Sequence, residues 1–217
     1  MVPAAYRGQR FLDYMKNAET ANALEVPYVN GHMGFIPENP NDPQFAPLCV
    51  AIRTVARHLK KNGQWLLFET GQETPVTLRR VMDDIGTDNL GVNLDPANLA
   101  MVTADDPVKA VYTLRDYIVH THAKDGINLQ PCDRHKIYGF FATGGDGGDL
   151  RDMPIWEYFK EVPLGQGSVD FDAYLAALAD IGYKGYLTIE REVGADPAAD
   201  IGLAVNFLKE KTAKYEL

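Results

Sequence analysis

"HTHAKDG", residues 120–126, follows the apolar pair Ile118–Val119, and its two histidines flank a single threonine. Side chains alternate along a strand, so His120 and His122 share one face if this is a strand, with His120 one layer deeper. Alone, the stretch fits a metal-binding strand end and a plain polar patch at the edge of a core equally well. Its neighbours along the chain separate the two readings. Three other short apolar runs also end in a ligand-type residue: "LLFE" in Glu69, "VNLD" in Asp95 and "LTIE" in Glu190. Glu69, Asp95 and His122 follow one another at intervals of 26 and 27 residues, about one strand-plus-helix unit each. Glu190 comes 68 residues after His122, which is one unit plus a long insertion.

Helical spacing fills the intervals. Residues 10–25 place Phe11, Tyr14, Met15, Ala18, Ala21 and Leu24 on one face, and 46–61 do the same with Leu48, Ile52, Val55, Ala56 and Leu59. Residues 74–86 predict a helix with Thr74 as N-cap and Gly86 just past its end. Further helices are expected at 106–117, capped by Asp106, and at 170–182 and 197–213. Strands are expected near 27–31, 64–69, 90–95, 118–122 and 186–190. Strand alternating with helix argues for parallel βα units and an α/β fold. In such folds the C-terminal strand ends share one face, where sites lie. Four such ends would converge three carboxylates and one imidazole. A lone acid at a strand end more often just meets solvent, but four ligand-type ends argue against coincidence. The set is hard and oxygen-rich, suited to Mn²⁺, Mg²⁺ or Co²⁺ and less to a structural zinc.

Composition narrows the partners. The chain has 217 residues, 46% hydrophobic and 24% charged, in the range of one ordinary globular domain. Its 21 Lys and Arg against 30 Asp and Glu give a formal charge of -9, which repels phosphate backbones and argues against nucleic acid. Cys49 and Cys132 stand in no metal or redox spacing, as expected of free thiols in a reducing compartment. No apolar run approaches the roughly 20 residues of a membrane span. The start, "MVPAAYRGQRFLDYM", has no apolar signal core, so the expected location is cytoplasmic.

The segment "VPLGQGSVDFDAYLAALADIGYKGYLTIERE" (162–192) together with "HTHAKDG" resembles the xylose isomerase-like sugar isomerases and epimerases. That family includes tagatose and psicose 3-epimerases, hydroxypyruvate isomerase and inosose dehydratase. The resemblance implies a TIM-type (β/α)8 barrel binding one divalent ion through strand ends five to eight. Carried over singly, Glu69 of "LFETGQE", Asp95 of "NLDPAN", His122 and Glu190 of "TIERE" would be the metal ligands. Mn²⁺ is the first expectation, with Mg²⁺, Co²⁺ or Zn²⁺ as alternatives. The implied chemistry is metal-assisted enediolate formation on a sugar or sugar phosphate, with Glu69 and Glu190 as catalytic acid and base. Epimerisation needs two such groups, because the proton leaves one face and returns on the other. The alternatives are a polyol dehydratase or other lyase, and a partial barrel that binds metal or sugar without turnover.

His32, at the end of the first strand, is read as a substrate contact or a loop residue, and Gln72 and Glu73 as lining a pocket, with Glu73 alternatively a first-turn acid. Asn98 stands three residues after Asp95, where some epimerases carry a substrate-binding histidine. Lys124 is read as pointing at a substrate oxygen or phosphate, or else as a solvated loop lysine. Arg191 and Glu192 are read as pocket residues or a rim ion pair. Residues 123–165 are read as a long loop within a single 1–217 domain, with "GGDGGD" inside as a lid or plain loop. Five legible strands against the family's eight predict that the first three βα units, about 80 residues at usual unit lengths, are missing through N-terminal truncation. Such an arc would expose its edges, so a homo-oligomer, a dimer, is expected.

Overall fold

The computed structural model describes residues 4–131, 133, 134, 137 and 157–215. Among them the strands are β1 (Tyr28–Gly31), β2 (Trp65–Glu69), β3 (Leu90–Leu94), β4 (Ile118–Ala123), β5 (Asp125–Asn128), β6 (Phe159–Val162) and β7 (Leu187–Ile189). Five of these form one parallel sheet in the order β1-β2-β3-β4-β7, while β5 and β6 pair antiparallel as a separate ribbon. The helices are α1 (Arg7–Ala23), α2 (Phe45–Lys61), α3 (Pro75–Ile85), a short α4 (Pro96–Asn98), α5 (Pro107–Leu114), α6 (Phe171–Asp180) and α7 (Pro197–Thr212). A π-helical turn at Leu99–Thr103 continues α4. Parallel strands with returning helices follow the alternation in the sequence, and they make half of a TIM-type barrel, as the resemblance implies.

Local chemistry starts these helices. Thr74 Oγ1 accepts the N–H of Thr77 at 3.2 Å, Pro75 takes the first helical position, and Gly86 ends α3 at φ 62°. The Asp-Pro pairs at 95–96, 106–107 and 196–197 repeat the device: the aspartate caps and the proline enters the helix. The helices then bury one face. Leu48, Ile52, Val55, Ala56 and Leu59 of α2 are wholly buried, and Leu78, Val81, Met82 and Ile85 of α3 nearly so. All five residues of β3 are buried, as in a strand covered on both faces.

One irregularity sets the orientation of everything that follows. Val92 pairs with Ile118, but Asn93 pairs with His120, so Val119 is an extra residue in β4. Paired residues on parallel strands point to the same side, and a slip of one residue turns a side chain to the other face. With regular pairing after Val92, Asp95 would stand beside Thr121. The bulge brings His122 beside it, facing the barrel interior.

One expectation changes. Residues 123–165 are not loop throughout, because their ends are the β5–β6 ribbon. Asp125 anchors it to the turn before α6 by accepting the N–H groups of Gly126 (2.8 Å), Gly165 (3.0 Å), Gly167 (2.9 Å) and Val169 (3.2 Å). The ribbon was missed because "DGIN" and "FKEV" are too short and too polar to show alternation. The glycine-rich segment read as a lid, and Cys132, lie outside the described residues. Cys49 is buried with a free thiol. Among the described residues no helix is long and apolar enough to cross a membrane.

Candidate metal centre

Glu69, Asp95, His122 and Glu190 come from four neighbouring strands and meet at the C-terminal rim of the sheet. Each offers one ligand atom, and the four atoms lie within 4.8 Å of one another. His122 Nδ1 faces the three carboxylates, 3.1 Å from Glu190 Oε2, 3.3 Å from Asp95 Oδ2 and 3.8 Å from Glu69 Oε1.

Each group is held from behind. Asp95 is fully buried; its Oδ1 accepts the N–H of Asn98 at 2.9 Å, which leaves Oδ2 for the cluster. Its own N–H donates to Thr70 Oγ1 at 2.8 Å, tying β3 to the end of β2. Glu69 Oε2 accepts from Asn30 Nδ2 at 2.9 Å, so Oε1 remains free to face His122. Glu190 follows the last residue of β7, and its N–H donates to Ala123 O at 3.2 Å.

Lys124 is neither solvated nor extended into open space. Its side chain is only 3% exposed, with Nζ 2.5 Å from Glu192, 3.0 Å from Glu190, 3.7 Å from Glu161 and 3.9 Å from Asp95. These contacts govern protonation. Burial alone would lower the His122 pKa, but hydrogen bonds and charges of Asp95 and Glu190 outweigh it and push it up to about 10. The hydrogen bond from His122, with the Lys124 charge, holds Glu190 down at about 2. Burial of Lys124 likewise opposes its charge, and Asp95, Glu192 and Glu190 together raise its pKa. A proton on His122 and the Lys124 ammonium thus balance the carboxylates. A divalent cation at the centre would take the place of that proton. Three carboxylate oxygens and one imidazole nitrogen facing one point fit such a cation.

A cavity of about 650 Å³ opens over the cluster. Glu69, Lys124 and Glu190 lie on its polar side, and Met101, Val102, Ile137 and Phe159 on its apolar side. Of the substrate candidates, His32, Gln72, Asn98 and Lys124 line it, whereas Glu73 is not among its lining residues. Glu73 is buried, and burial pushes its pKa up to about 8 against the opposing charge of Arg134. Gln72 Oε1 accepts the N–H of Gly34 at 3.0 Å, and Asn98 Nδ2 donates to Thr70 O at 3.3 Å. His120 stands below the cluster, half-buried, its Nε2 2.8 Å from Thr188 Oγ1. Arg191 pairs with Glu161 (2.7 Å) and Asp200 (2.8 Å) rather than with Glu192, which goes to Lys124. Sequence reading missed Asn30, Asn93 and Glu161. A strand-end asparagine in "YVNG" and "GVNL" was the only available signal for the first two.

The sequence pattern of the xylose isomerase-like TIM barrel family matches residues 2–211. The chain belongs to this family. Inosose dehydratase of Lacticaseibacillus casei is 25% identical over 161 residues, 72% of this chain and 49% of that protein. L-ribulose-5-phosphate 3-epimerase of Escherichia coli is 41% identical over 58 residues, 26% of this chain and 20% of that enzyme. The chain thus spans about half the length, or less, of these curated relatives. Among solved structures, the xylose isomerase domain protein from Planctomyces limnophilus superposes with a TM-score of 0.80 at 28% identity, covering 99% of this chain and 68% of that one. Family members therefore include both epimerases and dehydratases.

Proposed function

We propose that this xylose isomerase-like barrel chain binds one divalent cation, Mn²⁺ first, through Glu69, Asp95, His122 and Glu190, and enolises a sugar or sugar phosphate. The observation that carries the reading is the convergence of four strand-end ligand atoms within 4.8 Å beneath an open cavity. When bound, the cation supplies Lewis-acid stabilisation of negative charge developing on substrate oxygen. Proton movement falls to the chain's own carboxylates. Glu69 and Glu190 come from opposite sides of the cluster, β2 and β7, so each reaches the substrate carbon from a different face. One removes the proton from the carbon beside the carbonyl, and the other returns a proton to the opposite face, inverting the centre. Asn30 holds Glu69 and Lys124 holds Glu190 at fixed angles for this exchange. Because Lys124 is enclosed by carboxylates, we assign it to orienting Glu190 rather than to gripping a phosphate.

A second reading, a polyol dehydratase, is favoured by the longer alignment with inosose dehydratase. It shares the first step: the same proton is lost, but the second carboxyl group then gives its proton to a β-hydroxyl, which leaves as water as the carbon–carbon double bond forms. Incubation with Mn²⁺ and ketose or cyclic ketose panels in deuterated water separates the two. Deuterium at the carbon next to the carbonyl without loss of water supports the epimerase. A dehydrated product supports the lyase. Absence of both across the panels, with Mn²⁺ bound, would leave a binding protein without turnover.

A further inference from the structure

The geometry points to Asn93 as the positioning residue that fixes which nitrogen of His122 faces the cation, through a hydrogen bond from His122 Nε2–H to the Asn93 amide oxygen. This rests on the cation-site reading above. Asn93 lies on the inner face of β3, two residues before Asp95, and is only 2% exposed. Its amide stands directly behind the His122 ring, with Nδ2 3.1 Å from Nε2, while Oδ1 is buried with no hydrogen-bond partner among the described residues.

His122 presents Nδ1 to three carboxylates. A ring nitrogen that ligates a cation must offer its lone pair, so the ring's proton then sits on Nε2. A protonated Nε2 needs an acceptor, and an amide N–H set against it would place donor against donor. Turning the Asn93 amide by half a turn about its last side-chain bond brings Oδ1 to the ring, the kind of choice between two near-equal shapes that hydrogen bonding decides. The oxygen without a partner and the ring nitrogen in need of an acceptor then satisfy each other. The register bulge between Val92 and Asn93 makes the contact available, because it sets Asn93 and His122 on one face. Outer partners of this kind fix the tautomer and orientation of ligating histidines.

Three proteins test the assignment: the wild type, Asn93→Leu, which removes the acceptor at similar volume, and Asn93→Asp, which keeps it. Mn²⁺ affinity is read by calorimetric titration. The protonation of the His122 ring is read from ¹⁵N ring spectra of the cation-free and Mg²⁺-loaded proteins. Expected are a proton on Nε2, protected from exchange, in the wild type, and its loss of protection in Asn93→Leu. Mn²⁺ binding should weaken roughly 10–100-fold in Asn93→Leu and stay near wild type in Asn93→Asp. Unchanged Mn²⁺ affinity in a folded Asn93→Leu protein would overturn the assignment. So would a wild-type ring without a proton on Nε2, and that spectrum needs no variant to fold. If the wild type takes up no Mn²⁺, the cation-site reading fails, while exchange protection of the Nε2 proton in the cation-free wild type, compared with Asn93→Leu, still tests the hydrogen bond to Asn93.

Discussion

β3 and β7 each deliver one carboxylate to the same cluster, from very different surroundings. β3 has a hydrogen-bonded strand on either side, every residue is buried, and Asp95 at its end is wholly enclosed. β7 has three residues and one neighbour in the sheet; Tyr186 before it is 80% exposed and the Glu190 side chain 29%. Asp95 therefore does more than face the centre, since it also caps α4 and neutralises buried cations. Glu190 faces the centre from a partly solvated edge, where water can replace what it gives the fold. Two candidate ligands in one cluster thus differ in how far the fold depends on them.

Substitutions break or sharpen this contrast. Asp95→Ala should have the largest effect: no Mn²⁺ uptake, and a loss of about 3–5 kcal/mol in denaturant unfolding, because a buried pair and a helix cap go together. Unchanged stability would end the comparison. Glu190→Gln should weaken Mn²⁺ by more than the roughly 10–100-fold lost with an outer partner, and abolish deuterium exchange. Its unfolding free energy should stay within about 1 kcal/mol of wild type; a larger loss would make the edge ligand as structural as the inner one.

Glu73 carries the contrast to the end of β2, another inner strand. With its folded pKa raised to about 8 by burial, the native state holds a proton that the unfolded chain releases at a lower pH. The stability from that proton is complete below the unfolded value of about 4.3 and is lost as pH rises through about 8. Glu73→Gln should flatten this fall by on the order of 1–2 kcal/mol between pH 5 and 9, a figure reduced for local relaxation and water entry. An unchanged pH profile in the variant would show that Glu73 is not the group responsible. Smallest of all, Tyr186→Ser beside β7 should shift unfolding by no more than about 0.5 kcal/mol. A larger shift would mean that the exposed edge is packed in solution, and sedimentation would then show association.

Two helix starts were legible because caps are local: Thr74 and Asp106 read the same in sequence and in space. The four candidate ligands were legible because each closes a short, largely apolar run in the sequence. Lys124 was not, since its partners Glu161, Glu190 and Glu192 are distant in sequence and "AKDG" by itself looks like a solvated turn. The β5–β6 ribbon was hidden for want of length. Asn30 and Asn93 carry no signal beyond standing near a strand end, and their position behind Glu69 and His122 gives it meaning.

The sequence by itself determined the alternation of strands and helices, their caps, and which residues end the strands. Those are short-range matters, set by side-chain period and by hydrogen bonds a few residues apart. Tertiary structure alone decided which faces those residues present. Nothing in "GVNLD" or "IVHTH" announces the extra residue at Val119, yet that residue turns His122 toward Asp95. Strand register is fixed by packing between segments far apart in the chain, and a single residue of slip reverses every side chain beyond it.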